Sequence, residues 1–151
     1  MHPFHFDPQW FLPFFGVMWF VISAVLSVTS GWFTLAKRFQ SQEAIGGEKF
    51  NGYSGSMGFS PMKISYRGCL CLTIGSQGVR VSVFFPFRFL HPPLFIPWSQ
   101  MLDVKLGEFL FIKASTISIS ETPIEVSIQG KAGQALYDAY NAYKTSLGTG
   151  A

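Results

Sequence analysis

Hydrophobic residues along this chain fall into three regimes. From Trp10 to Val28 they are nearly continuous, from Phe50 to Ile128 they tend to alternate with polar residues, and from Gly130 onward they recur every three or four positions. The first regime predicts a helix that is apolar all round, the second a set of short antiparallel strands, and the third one amphipathic helix.

The strands can be placed one by one. "CLCLTI" (69–74) sets Leu70, Leu72 and Ile74 on one face, "GSQG" (75–78) is a turn, and "VRVSVFF" (79–85) points Val79, Val81 and Val83 inward, so the two runs predict a hairpin. "LFIPW" (94–98) is a short strand, and "MLDVKLG" (101–107) places Leu102, Val104 and Leu106 inward. "EFLFIKA" (108–114) follows after Gly107, and "TISIS" and "IEVSI" turn Ile117, Ile119, Ile124, Val126 and Ile128 to the core. The stretch from Phe50 to Tyr66 predicts one or two opening strands. Last, residues 130–146 put Ala132, Leu136, Ala139, Tyr140 and Tyr143 on one helical stripe.

The predicted order is therefore one spanning helix, six or seven short antiparallel strands and one C-terminal helix. That order specifies a small mainly-β domain, a barrel or bent antiparallel sandwich with the helix closing an open end. The expected boundaries are a tail at 1–9, a transmembrane helix at 10–36, an interfacial segment and polar linker at 37–49, the β domain with its helix at 50–146, and a tail at 147–151. Gly46-Gly47 breaks the linker.

Charge sharpens the first element. No Asp, Glu, Lys or Arg occurs in the 29 residues from Pro8 to Ala36, and all 11 Lys and Arg lie at or after Lys37. A helix of roughly 20 apolar residues crosses a hydrocarbon core about 30 Å thick. Trp10 and Trp32 flank the run, and Lys37 and Arg38 follow it, which assigns these four as membrane anchors. The leader "MHPFHFDPQ" has no Lys or Arg and the apolar run is long, both against a cleaved signal peptide. An apolar face all round argues against the core helix of a soluble protein. Lys37 and Arg38 at the C-terminal end put the N-terminus outside and the β domain in the cytoplasm, as a single-pass protein of the cell membrane. Beyond Ala36 the balance is 11 − 7 = +4, mixed in sign and without a basic stripe, so the expected partners are the lipid bilayer and a membrane protein rather than nucleic acid.

Within residues 78–106, "FIPWSQMLDV" carries a cadence at Ile96, Pro97, Trp98, Ser99, Met101 and Val104. With the order of elements, it resembles the pleckstrin-homology-like (PH-like) superfold, including GRAM and bacterial PH-like domains. "SGWFTLAKRF" together with "HPPLFIPWS" is similar to a family of small bacterial single-pass membrane proteins bearing such a domain. The resemblance implies a binding domain and brings no catalytic residue with it. Phosphoinositide-binding members use a basic cluster in the first strand-to-strand loops, where this chain offers Lys63 and Arg67.

The candidate chemistry is concentrated in "FRFLHPPLFIPW". Phe87, Arg88, Phe89, Leu90, His91 and Trp98 are the candidate ligand- or partner-binding residues. Either the loop dips into the membrane with Arg88 meeting phosphates, or it packs under the barrel or against Tyr140 and Tyr143. An enzymatic role for His91 requires Asp103 or Glu108 within hydrogen-bond reach and ranks last, since no nucleotide-binding or hydrolase motif occurs. His2, His5 and Asp7 do not define a metal geometry, and Cys69 and Cys71 lack a second pair, so they are expected to be free thiols. No metal or cofactor is expected. The reading that results is a membrane-tethered cytosolic PH-like binding or scaffolding module. The alternative is an accessory subunit of a larger membrane complex, packed through Gly16, Ser23 and Ser27.

Overall fold

The computed structural model describes residues 7–85 and 87–150. The apolar run forms helix α1 (Pro8–Thr29), and among the described residues it is the one helix long and apolar enough to cross a membrane. It does not continue to Ala36. Ser30 caps it, Gly31 turns left-handed at φ +77°, and a second helix, α2 (Trp32–Phe39), begins. Only glycine fits this corner: a Cβ at Gly31 would lie 2.6 Å from Ile124 Cδ1.

One face of α2 is buried. Trp32, Leu35, Ala36 and Phe39 all enter the core of the β domain. So α2 is part of that domain, and the linker shrinks to an extended segment at residues 40–47. Even this is pinned: Gln40 forms a β-bridge with Leu94, and the Ser41 N–H donates to Pro93 O at 3.0 Å.

Seven antiparallel strands follow: β1 (Glu48–Phe59), β2 (Met62–Ile74), β3 (Gly78–Val83), β4 (Leu94–Pro97), β5 (Met101–Phe109), β6 (Ile112–Ile119) and β7 (Ile124–Gln129). Helix α3 (Gly130–Thr149) closes the chain. The sheet order is β4-β3-β2-β1-β7-β6-β5, two meanders joined where β1 pairs with β7. In a flat seven-stranded sheet β4 and β5 would stand about 29 Å apart. The connecting turn, Trp98–Gln100, reaches about 14 Å at most. The sheet therefore has to curl into a half-barrel. Irregular register in β1 between Phe50 and Gly55 helps it bend, and Gly55 lets β1 approach its neighbours where a Cβ would collide with Ser127 O.

Most predicted inward positions are buried: Leu70, Leu72, Val79, Val81, Val83, Val104, Ile117, Ile119, Ile124, Val126 and Ile128. From α3, Ala132, Leu136 and Tyr140 fill the open end, where the Tyr140 hydroxyl donates to Leu102 O at 3.2 Å. Two expectations in this region need correction. Leu102 and Leu106 are both exposed; Met101 takes the place of Leu102 inside, because the register slips between Met101 and Asp103. The turn after β5 falls at Leu110-Phe111, not at Gly107, which lies within the strand opposite Ala114. Both turn residues have left-handed φ, 49° and 68°, and Phe111 is 94% exposed.

Candidate functional site

The segment between β3 and β4 meets the end of α1 and the start of α2, and there the polar residues of an otherwise apolar region converge. In α1 the apolar side chains point outward while Ser23 and Ser27 are the buried ones. Ser27 Oγ donates to Leu90 O at 2.6 Å. One turn on, the Trp32 indole N–H donates to Pro92 O at 2.9 Å. Trp19 also meets Phe87, ring to ring, at 5.7 Å. The loop is thus strapped to both helices through its own carbonyls. Pro92-Pro93 suits this role, since proline offers an acceptor and no competing donor.

His91 lies at the centre, 2% exposed. Its Nδ1 is 3.1 Å from Phe87 O and its Nε2 is 3.3 Å from the Tyr66 hydroxyl. A carbonyl only accepts, so the neutral ring carries its proton on Nδ1 and presents a lone pair at Nε2. The single Tyr66 hydroxyl proton then faces two acceptors, Nε2 and Ser30 Oγ at 2.9 Å. The Trp32 ring stands edge-on to the imidazole at 5.1 Å between centroids. Burial pushes the His91 pKa below its usual 6.5, partly offset by the Phe87 carbonyl. Burial raises the Tyr66 hydroxyl to about 12, against the opposing pull of its Ser30 hydrogen bond. Both groups therefore stay neutral around pH 7. The knot holds a polar junction together without charge.

The structure divides the sequence-derived candidates. Phe87, Arg88 and Phe89 are exposed, Leu90 is half-buried, and His91 is enclosed. Trp98 is apart from them and 3% exposed, with its indole N–H on Ser76 O and its ring beside Tyr140 and Tyr143. It is Trp98, not the loop, that packs on those two tyrosines. Asp103 lies near Tyr140, and the His91 ring nitrogens meet Phe87 O and the Tyr66 hydroxyl instead of a carboxylate. Among the anchor residues, Trp10 is exposed at the start of α1, and Lys37 lies 5.0 Å from the Phe33 ring. Arg38 turns to the β6–β7 connection, bonding Ser120 O, Gln100 Oε1 and Glu121. Trp32 is 0% exposed, so it ties α2 to the sheet, and Phe33 occupies the outward position beside it. Lys63 pairs with Glu125 at 2.6 Å. Cys69 and Cys71 are free thiols, half-buried on β2. His2 and His5 lie outside the described residues.

Sequence reasoning did not assign Ser30 or Tyr66 to this junction. One signal was present: Ser23, Ser27 and Ser30 recur at helical spacing in an apolar run, which marks the side of α1 turned to protein.

No protein-family model matches the chain, and no match to it was found among curated proteins.

Proposed function

We propose that the chain is a membrane-held binding or scaffolding module, with α1 crossing the cell membrane, the N-terminus outside and a PH-like β domain against the cytoplasmic face. The observation that carries this reading is a continuous apolar surface. The outward side chains of α1 run down to Val28, and Phe33, Phe84, Phe85 and Phe89 extend the same exposed character onto the β domain. In water such a surface would be costly at about 25 cal/mol per Å². At a bilayer it is the expected boundary, with Lys37 and Arg88 at headgroup level. The curled seven-stranded sheet closed by a last helix supports the PH-like assignment.

The accessory-subunit reading draws less support, because Ser23 and Ser27 are already covered and Ser27 is bonded to the chain's own loop. Gly16 remains open, with nothing within 4 Å of a Cβ built on it. The enzyme reading has a buried His91 with no carboxylate partner among the described residues, so it adds nothing to the proposal.

Fractionation tests the proposal directly. Membranes washed at alkaline pH should retain the full-length chain. Protease added to intact spheroplasts should remove an N-terminal tag and leave the β domain whole. Recovery of a monodisperse full-length chain from the water-soluble fraction, without detergent, overturns the proposal. Digestion of the β domain from outside reverses the sidedness.

A further inference from the structure

Two hollows flank the strapped loop. One, of about 490 Å³, lies between α1, α2 and the loop, with Ala24, Val28 and Phe33 on its helical side, Leu90 on the loop side and Lys37 at its edge. The other, of about 410 Å³, is lined by Phe85, Arg88, Gln42 and Pro93. Gln40, Phe89 and Pro92 belong to both, so the hollows adjoin across a common wall. Each is within the size range of small-molecule sites. Among the described residues, no Asp or Glu lines either one.

Apolar walls and two cations meet in this groove. At the α1 end the walls are Ala24, Val28 and Phe33, continuous with the apolar helix surface. The ammonium of Lys37 stands over the Phe33 ring at the rim of the first hollow, and the guanidinium of Arg88 and the amide of Gln42 line the adjoining one, with Gln40 common to both. Neither Lys37 nor Arg88 pairs with a carboxylate among the described residues, whereas Arg38 and Lys63 both do. A ligand that matches has a hydrocarbon chain at one end and a phosphate at the other.

We propose that this groove is a binding site for one anionic phospholipid of the cytoplasmic leaflet. The acyl chain lies along Ala24, Val28 and Phe33 under Phe89 and Leu90. The phosphodiester sits between Lys37 and Arg88, where Arg88 offers a forked donor and Lys37 a point charge. The site rests on the membrane-held reading, because the groove faces lipid only if α1 spans. None of its lining residues belongs to the first β-hairpin, whose Lys63 is held by Glu125. The loop is braced from behind. Contacts of Leu90, His91 and Pro92 with Ser27, Tyr66 and Trp32 hold Arg88 and Phe89 outward without using their side chains.

The test uses the full-length chain in nanodiscs of mixed phosphatidylcholine and phosphatidylglycerol, with native mass spectrometry of the lipids that stay bound after release. Retained lipid should be enriched in phosphatidylglycerol over the bulk. Lys37→Gln with Arg88→Gln should lower that enrichment by about fivefold per cation, roughly 25-fold together. The charge-conserving pair Lys37→Arg and Arg88→Lys should retain most of it. Ala24→Phe, which fills the acyl end, should reduce retention of both lipids. Lys37 and Arg88 are exposed, so the variants should melt like the parent chain. Bound lipid matching the bulk composition, or equal enrichment in the double glutamine variant, overturns the proposal. The alkaline wash separates the two claims: a chain that stays with membranes but shows no enrichment loses only the lipid site, and a chain that is washed free loses the membrane reading and the site together.

Discussion

The corner at Gly31 can be tested quantitatively. Gly31→Ala places a Cβ at φ +77°, where L-residues lose roughly 1–2 kcal/mol. The same Cβ would stand 2.6 Å from Ile124 Cδ1 and 3.0 Å from Cγ1. Ile124 is fully buried, so its tip can rotate but the side chain cannot leave. Overpacking of this kind costs about 1–3 kcal/mol. The sum is about 2–5 kcal/mol, which lowers Tm by on the order of 10 °C for a domain of this size. The assay is thermal unfolding of the detergent-solubilised full-length chain, followed by tryptophan fluorescence, since buried Trp32 adjoins the corner. Ile124→Val separates the two contributions: it removes Cδ1, so the double variant should recover part of the steric loss and none of the backbone loss. A Gly31→Ala chain that melts within about 1 °C of the parent would refute the argument, because neither the left-handed corner nor its contact with Ile124 could then be holding α2 in place.

Two further outcomes follow from the same physics. His91 binds its proton less readily in the folded state than in the unfolded chain, so stability should fall as pH drops below about 6.5, by at most ~1.4 kcal/mol per pH unit, and level off below the depressed folded value; urea unfolding between about pH 5 and 7 measures this, and His91→Gln should flatten the profile. At the β5–β6 turn, Leu110→Asn with Phe111→Gly should stabilise the domain by about 1 kcal/mol by giving the two left-handed positions residues that tolerate them, and an unchanged or lower Tm would contradict the turn geometry.

Much of the fold was legible because burial alternates. Val79, Val81 and Val83, or Ile124, Val126 and Ile128, sit where a period of two places them, and Ala132, Leu136 and Tyr140 follow the helical period. The turn at Leu110-Phe111 was not legible, since no Gly or Asn marks it and Gly107 offered a false punctuation. Leu102 was misplaced because one slip of register reverses a strand's faces, and nothing in "MLDVKL" signals the slip. At the site, the loop was conspicuous through its exposed phenylalanines and prolines. What escaped was long-range pairing: Tyr66 meets His91, and Ser27 meets Leu90, only after the sheet has curled. Hydroxyls scattered through an apolar helix say that something polar will cover them, not what.

The elbow between α1 and α2 has a mechanical consequence. A swivelling tether would let the domain forget how its anchor stands. Here Gly31 is wedged against Ile124 and Arg38 is tied to the β6–β7 turn, so helix and sheet should lean together. A helix of 22 residues is about 33 Å long and inclines further as the surrounding hydrocarbon thins. On the membrane-held reading, each degree of that inclination is copied to the far rim of the half-barrel, which turns bilayer thickness into the height and bearing of whatever the domain holds.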